Sequence, residues 1–286
     1  MKPRTIAHIV RPLLTSDGAG VKLQRTLGQS PEHRHDPFLL LDEFSTENPE
    51  DYIAGFPAHP HRGFETVTYM LDGHMLHEDH LGNRGDLRAG GAQWMSAGRG
   101  VIHSEMPQQK SGRMRGFQLW INLPASEKMK PAAYRDLQPE DIPAVDVAPG
   151  VAVRVIAGTY DRDGKACAGP LQGLTTQLIY FDVRLTGSAS FEYPLAPELS
   201  ALAYVYEGAL DVPLNDTVTS VLMSHHAAIL SAGDTVRAHA GGDGAGFLLL
   251  AARPLNEPVV QRGPFVMNTE EEVQQAIRDY QRGELV

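Results

Sequence analysis

Residues 59–75 read HPHRGFETVTYMLDGHM, and this stretch decides the fold. After Gly63 the residues are mostly aromatic, β-branched or apolar as far as Leu71. Asp72-Gly73 then marks a turn, so the stretch reads as a strand, a glycine turn and the start of a second strand. A similar module, SALAYVYEGALDV, stands at 200–212. The part of the first module at 65–75 is followed by GDLRAGGAQWMSAG at 85–98, and the second module by HHAAILSAGDTVRA at 225–238. Strand, glycine turn, strand and glycine-punctuated strand therefore recur, which predicts two similar β-barrels in tandem. Further short runs at 38–41, 117–121, 151–156, 177–185 and 247–251 lie between turn residues, so the fold class is all-β. Phe38-Leu39-Leu40-Leu41 is continuous rather than alternating, as in a strand covered on both faces.

The same stretch carries the chemistry. His59 and His61 stand at i and i+2, as do His103 and Glu105 in the later segment His103-Ser104-Glu105. Such pairs point to one face of a strand. Pro60 favours this by extending residue 59 and by restricting the strand to an edge. Two such strands side by side aim three imidazoles and a carboxylate at one point, a ligand set for a divalent first-row metal with open positions. Trp94, Met95, Val101, Ile102 and Met106 surround the second pair, and a histidine and carboxylate among such residues are costly to bury unless paired or metal-bound. Glu65, four residues after His61, is a rival for the carboxylate. Gly63 can bend the strand between them, which tilts the choice toward Glu105. His74, His77 and His80 are spaced by three, so they cannot converge on a strand; only His77 is kept as a pocket residue. His225 and His226 point apart, and the second half has no matching pair. One barrel is expected to bind metal and the other not.

The domains expected are 1–130, a metal-binding barrel; 131–150, a linker with Pro131, Pro139, Pro143 and Pro149; and 151–286, a barrel without ligands plus a C-terminal helix. For that helix, Thr269 and Glu272 form a capping box, Val273, Ala276, Ile277 and Tyr280 follow at helical spacing, and Gly283 stops it.

The formal net charge is −10, from 25 Lys and Arg against 35 Asp and Glu. This argues against a broad nucleic-acid surface. A single cysteine, Cys167, excludes an internal disulfide framework. The start MKPRTIAHIVRPLL lacks an apolar signal core, and no run nears the ~18 apolar residues of a membrane span. A cytoplasmic protein is expected, with no membrane contact and no direct nucleic-acid contact.

GFPAHPHRGFETVTYMLDG (55–73), GNRGDLRAGGAQWMSAGRGVIHSEMP (82–107), DPFLLLDEF (36–44) and RGPFVMNT (262–269) resemble the pirin family of bicupins. The resemblance covers most of the chain and implies two jelly-roll cupin barrels with one metal in the first. It assigns His59, His61, His103 and Glu105 as ligands and so prefers Glu105 over Glu65; cupins in general take their carboxylate from the first motif. It is least regular at 161–175 and 207–226. Bacterial pirins resemble quercetin 2,3-dioxygenases, which open a flavonol ring with O₂ and release CO. The function expected is therefore that of a metal-dependent dioxygenase of this kind, with a small aromatic substrate, Glu105 as ligand and general base, and Phe56, Met70 and Met95 lining the pocket. Fe(II) suits the mixed donor set best; Mn, Co, Ni and Zn are the other metals considered. The alternative is a metal-binding regulatory protein read by a protein partner, as implied by the animal members. A third is an isomerase or sugar-binding cupin, since this fold hosts many chemistries.

Overall fold

The computed structural model describes residues 2–162, 164–215 and 217–286. Among these residues it is built of antiparallel strands with one α-helix, α1, at Glu270–Arg282. The first twelve strands are β1 Ile6–Val10, β2 Leu13–Asp17, β3 Val21–Leu27, β4 Phe38–Thr46, β5 Phe56–His61, β6 Phe64–Asp72, β7 His74–Asp79, β8 Arg84–Arg88, β9 Ala92–Ser96, β10 Val101–Pro107, β11 Met114–Asn122 and β12 Ala133–Leu137. They and the later strands form the two cupin barrels expected of a bicupin. Among the described residues, no helix is long and apolar enough to cross a membrane.

Two compact units divide the chain differently from the expected boundaries. One comprises residues 14–140 and 255–286, the other residues 1–13 and 141–254. Strand β1 pairs with Ala227–Leu230, so the first residues complete the sheet of the second unit. The proline-rich stretch at 131–150 is not a free linker. Strand β12 pairs with β9 in the first unit, and Ala144–Ala148 pairs with Val151–Ala157 in the second. Helix α1 belongs to the unit of residues 14–140. Its capping box forms as expected, Gly283 ends it at φ 72°, and Val273 and Ala276 are buried. Arg62, one residue after the His59/His61 pair, reaches it through Asp279 at 2.6 Å.

In the first unit, a sheet in the order β12-β9-β6-β11-β4-β3-β2 accompanies a four-stranded sheet in the order β5-β10-β7-β8. Strand β4 is buried from Phe38 to Phe44, as its unbroken apolar run requires. The second unit is filled by apolar side chains, with Phe191 packed against both Tyr193 and Phe247. The internal repeat corresponds to equivalent pairings: β6 with β9, and Ser200–Pro213 with Ala227–Leu230. Gly73 separates β6 from β7 at φ 103°, and Gly208, at φ 68°, sits where the register of the long strand shifts. Of the two less regular stretches, Asp163 and Asp216 lie outside the described residues. Around them, Thr159–Arg162 pairs with Lys165–Ala168, and Thr219–Met223 pairs with Ser200–Pro213.

Buried Lys128 ties the first unit together. Its ammonium donates to the carbonyls of Gly63 at 2.7 Å and Val266 at 3.0 Å, and to Asn122 Oδ1 at 2.6 Å. Burial pushes its pKa from 10.5 down to about 7. Across that window the unfolded chain holds the proton that the folded chain releases, so stability rises with pH. We expect this residue to add up to about 1.4 kcal/mol of stability per pH unit between roughly pH 7.5 and 9.5. Urea denaturation of wild type and Lys128→Met checks this, with the slope reduced in the variant.

Candidate metal centre

The four-stranded sheet builds the site by register. His59 on β5 lies opposite His103 on β10, and His61 lies opposite Val101. Because i and i+2 share a face, His59, His61 and His103 converge. One ring nitrogen from each lies within 4.8 Å of the others. The ring centroids are 4.4 to 5.0 Å apart.

The donor atoms suit a cation. His59, half-buried, donates from Nδ1 to the Pro57 carbonyl at 2.8 Å when neutral, which leaves Nε2 bare. His103 Nε2 and His61 Nδ1 are buried with no hydrogen-bond partner. Such orphan atoms cost roughly 1–3 kcal/mol each unless something satisfies them. Burial, and then the neighbouring histidines, hold the pKa of His61 and of His103 well below the usual imidazole range. The rings therefore present lone pairs at neutral pH, as a metal requires.

The structure does not place Glu105 in this cluster. A register shift follows His103, and the buried Glu105 carboxylate turns to neutral donors. Its Oε1 accepts from Gln93 Nε2 and, at 3.3 Å, from Thr68; its Oε2 accepts from Gln118 Nε2 at 2.9 Å. Glu65, the rival, is not in the cluster either. Gly63, at φ 89°, breaks the chain between β5 and β6, so Glu65 belongs to the other sheet. There it pairs with Lys130 at 3.0 Å.

A cavity of about 560 Å³ opens on His59 and His61. Leu39, Leu40, Phe56 and Trp120 supply its apolar wall, and Gln118 and Arg25 supply polar groups. Phe56 lines it as expected, but Met70 and Met95 do not: Met70 packs in the cluster of Phe44 and Met114, and Met95 packs with Ala97 and Val101. Trp120 stacks on Phe64 at 4.3 Å and meets the edge of His61 at 5.1 Å. Its indole N–H donates to Gln118 Oε1 at 3.1 Å, which turns the Gln118 amide nitrogen toward Glu105. Asp42 grips Arg25 with both oxygens, at 2.9 and 2.7 Å.

The residue that spacing undervalued is His77. It is 1% exposed, and its Nδ1 lies 3.3 Å from His103 Nδ1. Comparing it with His74 and His80 hid the signal, which is His77-x-Asp79, an i, i+2 pair like the other two. His74 instead pairs with Asp86, and His80 Nδ1 accepts from the backbone N–H of Ile102.

Two family profiles match the chain, Pirin over residues 20–121 and the Pirin C-terminal cupin domain over residues 180–286. A Pseudomonas aeruginosa protein with the provisional name quercetin 2,3-dioxygenase is 53% identical over 271 residues, 94% of each chain. A pirin-like protein of Caulobacter vibrioides is 48% identical over 283 residues, 99% of each chain. Among solved structures, a quercetin 2,3-dioxygenase from Acinetobacter baumannii superposes with a TM-score of 0.89 at 32% identity, covering 99% of this chain and 98% of its own.

Metal analysis tests the rival carboxylate Glu65 and the triad. We expect one divalent ion per chain in wild type and in Glu65→Gln, and loss of the ion in His61→Ala and His103→Ala, measured by elemental analysis after dialysis.

Proposed function

We propose, since this chain belongs to the pirin family, that it is a metal-dependent dioxygenase acting on a planar hydroxylated aromatic of the flavonol class, with quercetin as the probe. The observation that carries this reading is the cavity, which joins two histidines of the triad to a wall of Trp120, Phe56, Leu39 and Leu40. A flat apolar ring system suits such a wall, with a few polar groups to orient it. In this proposal His59, His61 and His103 hold the ion and Glu105 completes the donor set. Fe(II) is the first choice for these donors, ahead of Mn, Co, Ni or Zn. When bound, the ion supplies Lewis acidity toward a substrate hydroxyl and redox chemistry toward O₂.

The remaining work falls to the chain. To act as general base Glu105 has to leave the donor set and accept the proton of the substrate hydroxyl at a carboxylate oxygen; its donors Gln93 and Gln118 are neutral amides rather than side-chain cations. Gln118 lines the cavity and spends one N–H on Glu105, which leaves the other to orient a substrate oxygen. Trp120 offers its ring to the substrate and fixes Gln118 through its indole nitrogen. The apolar wall excludes water from the reacting ring.

Fe(II)-loaded protein under air is expected to consume O₂ and release CO in equal amounts with quercetin. Glu105→Gln is expected to lower kcat by about 10²–10⁴-fold, the usual contribution of a positioned general base. Oxygen-electrode and CO measurements check both. Metal-loaded wild type that neither takes up O₂ nor releases CO contradicts the proposal, as does a Glu105→Gln variant equal to wild type.

A further inference from the structure

We propose that His77 and Asp79 are positioning residues that act through His103, holding its imidazole in the tautomer whose bare Nε2 faces the triad. This rests on the reading of the triad as a metal centre.

Strand β7 lies on the far side of β10 from β5, and Asp79 is opposite His103 in register while His77 is opposite Glu105. His77 and Asp79 stand at i and i+2, so the face that carries the triad continues onto β7. His77 Nδ1 is 3.3 Å from His103 Nδ1. On its other side, His77 Nε2 is 3.6 Å from Asp79 Oδ2, with both side chains buried. Tyr134 on β12 stacks on the His77 ring at 4.2 Å and 18° and fixes its plane. The Asp79 carboxylate is itself anchored: Oδ1 accepts from the backbone N–H groups of Leu81 and Asn83, and Oδ2 from Asn83 Nδ2.

Two tautomer assignments are open to this chain of contacts, and the contacts at its two ends select one. If His77 donates from Nδ1, its bare Nε2 lone pair faces the Asp79 carboxylate, and the proton of His103 moves to Nε2, a buried atom with no acceptor. If His103 donates from Nδ1, the His77 proton sits on Nε2 facing Asp79, and His103 Nε2 is bare. Only the second arrangement turns the His77 N–H toward the Asp79 carboxylate, an electrostatic contact at 3.6 Å rather than a hydrogen bond, and leaves a lone pair for the triad. The result is a carboxylate–histidine–histidine relay. It extends by one ring the carboxylate–histidine contact that orients metal-bound imidazoles and raises their basicity.

The test uses the full chain. His77→Phe keeps a ring against Tyr134 and removes both nitrogens, whereas His77→Gln restores an oxygen acceptor. Nitrogen-15 NMR of the metal-free protein reads the His103 tautomer, and Co(II) titration against a chromophoric chelator reads affinity. Wild type is expected to show His103 protonated at Nδ1. His77→Phe is expected to move that proton to Nε2 and to weaken Co(II) binding about 10–100-fold. His77→Gln is expected to retain the Nδ1 proton and recover most of the affinity. The proposal is overturned if His103 keeps its Nδ1 proton in His77→Phe, if that variant binds Co(II) like wild type, or if both variants bind equally weakly. Should His77→Phe not fold, the tautomer in His77→Gln decides: a proton on Nδ1 supports the relay and one on Nε2 overturns it. Wild type that binds no Co(II) defeats the metal reading instead, while the NMR tautomers still decide the relay.

Discussion

Burial strips water from His61 and His103, and in a low-dielectric interior neither ring can carry a charge cheaply while facing another histidine. Both are held neutral, and the bare nitrogens they turn inward have no partner within the protein. That unfavourable concentration of lone pairs is tolerable only where a cation gathers it. The surrounding elements keep the rings in place. Strands β5 and β10 set them opposite each other, His77 backs His103, and Trp120 and Phe64 pack against His61.

The supports come from distant parts of the chain. Arg62 joins the segment after β5 to α1 through Asp279, and Lys128 joins the start of β6 to the strand at Phe265–Met267. Tyr134 is supplied by β12, within a stretch whose prolines suggest a connector. A site of three histidines on two strands thus depends on packing that spans from residue 59 to residue 279.

The reach of sequence reading follows from which interactions are local. Alternation along a strand is local, so spacing alone put His59 and His61 on one face of a strand, while their meeting with His103 rested on the assumption that the two strands are neighbours, as β5 and β10 are. The Thr269 capping box is local too, and it forms as read. Gly63 only tilted the choice of carboxylate away from Glu65, whose strand β6 lies in the other sheet from β5 and β10. Sheet partnership is not local. Nothing in residues 6–10 tells that they pair with 227–230, nor that α1 packs in the unit of the earlier residues. The orientation of Glu105 was also out of reach, because it depends on Gln93 and Gln118 from two other strands. His77-x-Asp79 was legible by the rule that found the triad, but the i+3 spacing of its neighbouring histidines drew the comparison away from it.

The central claim is that three imidazole nitrogens of the first barrel share one ion. X-ray absorption spectroscopy of metal-loaded protein tests it most directly. The account predicts a first coordination shell of nitrogen and oxygen atoms whose multiple scattering counts three imidazoles. A shell with one imidazole or none, at full metal occupancy, would contradict it.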